Sequence, residues 1–413
     1  MKALYIRFRK GVKTMKKTSN YDPVQLAKNI EDEMINWRRE LHQFPELGLE
    51  LPQTSQYVQS RLTEMGIPFK TLVDGNAIVG LIEGSGEGPV LAIRADMDGL
   101  PIAENTGLEF ASTNGNMHAC GHDAHTAMLL GAAKILNEIK EDLNGAVKLI
   151  FQPAEEFPGG AKPMLDEGAF ENPSVDHVIG LHAGYLDATL PVGTIGTRKN
   201  ELMASMDRFQ INIKGNGSHG AYPEDSRDPI AAAGQIITAI QTIKGRNIKA
   251  TEPVVVSITR VEGGYNQNII PDNVELEGTV RTFDNELREF VHNKLEQIAT
   301  GVGTALGVEA EVIYDYKYPP VLNDPAFTEN VINSFNEIFP EGTMVESEEP
   351  LMGGEDFAFY LEQVPGTFFF LNNPGKIDGK FHGHHHEKFD VDESKFFMGT
   401  AGFVRVALDL LSE

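Results

Sequence analysis

Apolar residues along this chain follow two rhythms. Across 23–43, Leu26, Ile30, Met34, Trp37 and Leu41 recur at three- and four-residue spacing, which predicts a helix. Across 124–143, Leu129, Ala132, Leu136, Ile139 and Leu143 mark the buried stripe of another. Short continuous apolar runs at 90–93, 147–151 and 177–181 read instead as strands covered on both faces. Helices are predicted again at 327–339 and 393–411, with a short buried strand at 367–371. Such alternation predicts an α/β domain, a mainly parallel sheet sandwiched by helices.

The middle of the chain changes pattern. Phe209, Ile211 and Ile213 alternate with polar neighbours, as in a strand with one buried face. Asp228 can cap a helix over 228–243 that carries Pro229 at its first position. Strands are predicted at 254–260, around Val274, Leu276 and Val280, and at 308–316, with a helix at 285–298. The order is βαββαβ, the ferredoxin-like pattern. The expected organisation is a first domain of 21–199 and 315–413, interrupted by a small domain of 200–314. A chain of 413 residues also suggests two domains by length alone.

Charge narrows the partners. Sixty acidic residues against thirty-five basic ones give a formal net charge of -25. Such a surface repels phosphate backbones and anionic lipid heads, so neither nucleic acid nor membrane is expected as a partner. No apolar run reaches the roughly 18 residues of a membrane span. Cys120 is the single cysteine, which rules out an intrachain disulfide and makes the cytoplasm the default location. The first 17 residues carry seven basic side chains and no acid. They read as part of a disordered tail over 1–20, or as a start upstream of a true one at Met15, rather than as a targeting signal.

Candidate chemistry gathers where three predicted strands stop. The first leads into Asp96 and Asp98, the second into Glu155 and Glu156, the third into His182. Ligands in open α/β sheets collect beyond the carboxyl ends of the strands, so these groups are expected to converge. Seven of the twelve histidines fall in two windows, 118–125 and 382–386. Cys120 and His122, two residues apart before a helix, can chelate a borderline-soft cation from one turn; a buried core thiol beside capping histidines is the plainer alternative. In the Glu155-Glu156 pair, one carboxylate can hold a metal while its neighbour works as a general base, although an exposed acidic pair is common in so acidic a chain. Among His382, His384, His385 and His386 one ligand is expected, the others supporting it or facing solvent. His219, flanked by Gly217 and Gly220, can approach a ligand closely or be a simple turn residue. Arg281, in mid-strand, suits either a structural ion pair or a substrate carboxylate.

Six segments in order resemble the M20-type metallopeptidases, in the branch of the aminoacylases, hippurate hydrolases and auxin-conjugate hydrolases. They are Arg39-Glu40-Leu41-His42-Gln43-Phe44-Pro45-Glu46, Arg94-Ala95-Asp96-Met97-Asp98, His118-Ala119-Cys120-Gly121-His122-Asp123, Phe151-Gln152-Pro153-Ala154-Glu155-Glu156, Gly180-Leu181-His182 and Gly353-Gly354-Glu355-Asp356-Phe357. The resemblance implies a metal-dependent exopeptidase-like fold with an inserted lid that also dimerises. It implies two divalent ions (zinc, manganese, cobalt or nickel) bridged by Cys120. His122 and His182 would complete one site, Glu156 and a C-terminal histidine the other. Phe389 sets the family register and points to His385, with His386 as runner-up because Glu387 stands where proline is common. Glu155 would be the general base and Asp98 a supporting carboxylate. His219 would reach the partner subunit's site and stabilise an oxyanion, while Asn268 and Arg281 would hold the substrate carboxylate.

The implied reaction is hydrolysis of small N-acyl-amino acids by a metal-activated water, in a homodimer or larger homo-oligomer. A cysteine hydrolase using Cys120 is the competing reading, but it leaves Glu155, Glu156 and His182 without a task. A non-catalytic binding protein on the same fold is a third. A zinc nucleobase deaminase lacks its second Cys-x-x-Cys element.

Overall fold

A computed structural model describes residues 21–412. The basic tail and the alternative start at Met15 lie outside the described residues. The chain divides into two compact units, Met1–Leu202 with Asn323–Glu349 and Phe359–Glu413, and Met203–Leu322 with Pro350–Ala358. The division expected from sequence lay at 200–314. The second unit instead runs on to Leu322, because its last strand continues to Tyr318. It also takes in Pro350–Ala358, a return that no local pattern announces; Ala204 donates to the Leu351 carbonyl.

The large sheet of the first unit has eight strands: β1 (Phe69–Leu72), β2 (Ala77–Glu83), β3 (Gly86–Asp96), β4 (Asn144–Gln152), β5 (His177–Gly184), β6 (Thr194–Thr197), and, after the second unit, β11 (Met344–Glu346) and β12 (Gly366–Asn372). Their spatial order is β1-β2-β4-β3-β5-β12-β6-β11. The central four, β4-β3-β5-β12, run parallel. These strands are buried almost throughout, as expected of a sheet covered on both sides. Register places Asp96 opposite Gln152 and Arg94 opposite Gly180, so Asp96, Gln152 and His182 end at one level.

The helix expected at 285–298 runs on to Leu306, and two other helical expectations change in kind. The segment 23–43 is two helices, Pro23–Asn29 and Glu31–His42, broken at Ile30. The second starts on Glu31, Asp32 and Glu33, whose charges favour a new N-terminus there. The predicted 124–143 helix spans His122–Glu138 and is buried on every side through Ala133 rather than along a stripe. It packs between the sheet and the helices Glu31–His42 and Phe396–Leu411, so only its last turn reaches solvent.

In the second unit, β7 (Met206–Lys214), β8 (Val254–Gly263), β9 (Asn273–Thr282) and β10 (Glu309–Tyr318) pair antiparallel in the order β8-β9-β7-β10. With helices Pro229–Ile240 and Asn285–Leu306, this is the ferredoxin-like arrangement. Asp228 accepts from the amides of Ile230 and Ala231, and Asp284 from that of Leu287. One core of Ile211, Ile213, Leu276, Val280, Val291 and Leu295 joins sheet and helices.

Candidate metal centre

The strand ends of β3, β4 and β5 bring Cys120, His122, Glu155, Glu156 and His182 together with two residues of the histidine-rich loop, His384 and His385. Gly121, at φ +87°, puts a left-handed residue between Cys120 and His122, just ahead of the helix. A side chain there would be strained, and the turn lets both ligand types point one way. Cys120 Sγ lies 3.3 Å from His182 Nε2 and 3.5 Å from His384 Nδ1. Single ligand atoms of Cys120, Glu156 and His385 lie within 4.8 Å of one another, as do those of His122, Glu155 and Glu156.

Surrounding groups fix which nitrogen of each ring faces the centre. Asp98 Oδ1 sits 3.2 Å from His122 Nδ1, while Nε2 has no hydrogen-bond partner. The same carboxylate accepts the amides of Glu155 and Glu156 at 3.0 and 3.2 Å. One buried side chain thus aims the imidazole and clamps the turn that carries both glutamates. That turn includes Ala154 at φ +59°, a left-handed non-glycine residue held between strand end and carboxylate pair. His182 donates from Nδ1 to the Ala183 carbonyl at 2.8 Å, so its Nε2 is the lone pair beside the sulfur. His125 accepts the Ala183 amide on Nε2 and donates from Nδ1 to Asp96. Its ring is therefore used up in holding β5 and is no ligand.

Electrostatics show a centre short of positive charge. Burial and then Glu156, Glu155 and Asp96 push the Cys120 thiol well up. Burial pulls His122 down, but Asp96, Asp98 and Glu156 outweigh it and raise the ring to about 10. Burial lifts the Glu156 carboxyl, yet His385 and His122 hold it below its usual range. His182 is driven well down by burial and by its imidazole neighbours. Two buried atoms here lack any hydrogen-bond partner: His122 Nε2 and Glu156 Oε1. His385 Nε2 comes within 3.0 Å of that oxygen without an aligned N–H. Orphaned nitrogen and oxygen donors beside a thiol are costly on their own and fit divalent cations.

Within the histidine run, left-handed backbone at His385 (φ +63°) turns successive rings apart. His385 faces Glu156, and its amide is tied to the Ala119 carbonyl at 2.9 Å. His386 accepts from the Lys388 amide and stacks on His382, away from the cluster. His384 beside Cys120 had no individual role in the sequence reading, since a run of histidines does not reveal which way each ring points.

The other named residues belong to the second unit. His219 is exposed on a two-residue ladder with Ile269–Ile270, and its Nδ1 accepts the Ala221 amide, which places the proton of the neutral ring on Nε2. Asn268 is in the same turn, its carbonyl accepting from Gly220 at 2.8 Å. Arg281 is half-buried on β9, bonded to Thr279 Oγ1 and the Val280 carbonyl. Among the described residues no carboxylate lies within ion-pair distance of it.

With this geometry in view, sequence likeness is decisive. A family model for Peptidase family M20/M25/M40 matches residues 92–409. The chain belongs to that family. It is 41% identical over 387 residues to an N-acetylcysteine deacetylase of Bacillus subtilis, covering 93% of this chain and 98% of that protein. It is 43% identical over 301 residues to an N-acyl-L-amino acid amidohydrolase of Geobacillus stearothermophilus, covering 72% and 80%. A solved dinuclear metal-binding peptidase of the M20 family from Bacillus subtilis superposes with a TM-score of 0.80 at 39% identity, covering 93% of this chain and 99% of that one. The chain is a metal-dependent amidohydrolase, with the mixed α/β architecture of M20 peptidases. Among the described residues no helix is long and apolar enough to cross a membrane.

Proposed function

We propose that this chain hydrolyses the amide bond of small N-acyl-amino acids, acetyl- or benzoyl-type conjugates, in the cytoplasm and as a homodimer or larger homo-oligomer. The observation that carries the reading is Glu155 sharing one cluster with the orphaned His122 Nε2 and Glu156 Oε1. Cys120, His122 and His182 would hold one cation, and Cys120, Glu156 and His385 the other, as zinc, manganese, cobalt or nickel. Bound there, the two ions supply Lewis acidity to the scissile carbonyl and acidify the attacking water. Glu155 takes a proton from that water and returns it to the leaving amine, giving a carboxylate and a free amino acid. Asp98 keeps Glu155 and His122 in place. His219 donates Nε2–H to the oxyanion, supplied by a second copy of the chain. Asn268 and Arg281 take the substrate carboxylate, and the unpaired guanidinium of Arg281 supports that role.

A nucleophilic cysteine would need a depressed thiol pKa, and here burial and three carboxylates raise it. Glu155→Gln tests the base. Turnover of an acetyl- and benzoyl-amino acid panel should fall about 10²- to 10⁴-fold while metal content by plasma mass spectrometry stays at the wild-type level. Full turnover with both metals retained would remove Glu155 from the mechanism.

A further inference from the structure

His384 belongs to neither ligand set above, yet its ring is seated with care. Gly184, at φ +114°, leaves the space it fills: a Cβ there would meet His384 Cε1 at 2.5 Å. Phe389 packs on the ring with centroids 4.7 Å apart, and His182 meets it edge-on at 5.0 Å. The Tyr185 amide donates to His384 Nε2 at 2.9 Å. A nitrogen that accepts an N–H has no proton of its own. The proton of the neutral ring is then on Nδ1, which lies 3.5 Å from Cys120 Sγ.

We propose that His384 is a positioning residue: a fixed Nδ1–H donor to the Cys120 sulfur, not a metal ligand. This rests on the reading of Cys120 as the bridge between two cations. The lone pairs of sulfur account for the arrangement. A thiolate has three; two bonds to two cations leave one, and the His384 N–H takes it. Without ions the same sulfur is satisfied as a thiol. Its S–H points to His182 Nε2 at 3.3 Å while it accepts from His384. Cation binding would release the thiol proton to solvent and free His182 Nε2 to hold an ion, while His384 would keep its bond to the sulfur. The donor draws charge from the thiolate, so it sets how strongly the bridge binds and how exposed it is to alkylation.

Cobalt(II) reports this directly through the thiolate-to-metal charge-transfer band. His384→Leu keeps the bulk and removes the donor. The band should move to longer wavelength, because the sulfur without its donor gives up electrons more readily. His384→Asn retains an N–H near the Nδ1 position and should return the band toward its wild-type place. A band unmoved in His384→Leu, or an Asn variant indistinguishable from it, would overturn the proposal. A wild-type protein taking up two cobalt ions with the usual sulfur band would leave the dimetal reading intact in either case; one showing no sulfur band would sink both. Histidine ¹⁵N spectra of the unmutated protein give a second test that needs no variant. His384 should show protonated Nδ1 and bare Nε2, and the opposite tautomer would end the idea.

Discussion

Two buried polar clusters lie at the two ends of the Cys120–Asp123 segment, and they solve the same problem differently. In one, Arg38 is 1% exposed and meets Asp123 at 2.8 Å and Asp390 and Glu393 at 3.1 Å, with His42 bonded to Asp123 and Glu104. The chain supplies its own cation, and Asp123 is held well below the usual carboxylate range despite burial. In the other, Asp96, Asp98, Glu155 and Glu156 lie about His122 and Cys120, while the Arg94 guanidinium bonds Asp96 and Gln152. There the ring of His122 is held charged and the thiol protonated. A buried anionic cluster needs positive charge; where the chain withholds it, the deficit marks a place for ions.

Removing the internal cation should have the largest effect. Arg38→Met leaves three carboxylates near an empty position and should cost about 3 to 5 kcal/mol. Chemical denaturation should show the same loss with and without metals; a loss seen only in the metal-loaded protein would merge the two clusters into one. Next comes a residue outside both clusters. His219→Ala should lower kcat about 10²- to 10³-fold with metal content unchanged, whereas loss of metal would tie the second unit to the ion sites. Asp98→Ala should do the reverse, weakening metal affinity about 10- to 100-fold by freeing His122 and the Glu155-Glu156 turn. Dialysis against a graded chelator series reads this, and unchanged retention would argue against the clamp.

The smallest signal is proton release. The His122 ring rises in the folded chain from 6.5 to about 10, so its stabilising charge is fully present below 6.5 and is lost as pH climbs through about 10. A cation bound at Nε2 and Sγ must displace that proton and the thiol proton. Metal affinity should therefore increase with pH over this window, with about two protons released per chain near neutrality. Calorimetry in buffers of different ionisation enthalpy counts them, and a count of zero would mean that neither group binds the ion.

Much of this was legible in advance. Apolar runs located the parallel strands because burial on both faces leaves no alternation to read. Asp228 and Pro229 announced a helix start through their own backbone chemistry. Strand ends at Asp96, Glu155 and His182 identified the rim, since topology places ligands there. The break at Ile30 was not legible, because the apolar spacing runs straight through it and only the acidic restart at Glu31 argues otherwise. The all-round burial of His122–Ala133 was hidden too, as a stripe pattern cannot report what packs on the opposite side.

The sequence alone determined the two-unit composition, the strand and helix alternation and the set of donor types, for these depend on local periodicity and on which side chains exist. Tertiary structure decided which nitrogen of each ring is bare, which of three consecutive histidines faces Glu156 and which faces the sulfur, and that Pro350–Ala358 joins the second unit. Such outcomes hang on partners more than sixty residues away, such as Cys120 with His182, and on a single left-handed residue, His385. Hydrogen-bond direction is a property of pairs in space, and no run of letters carries it.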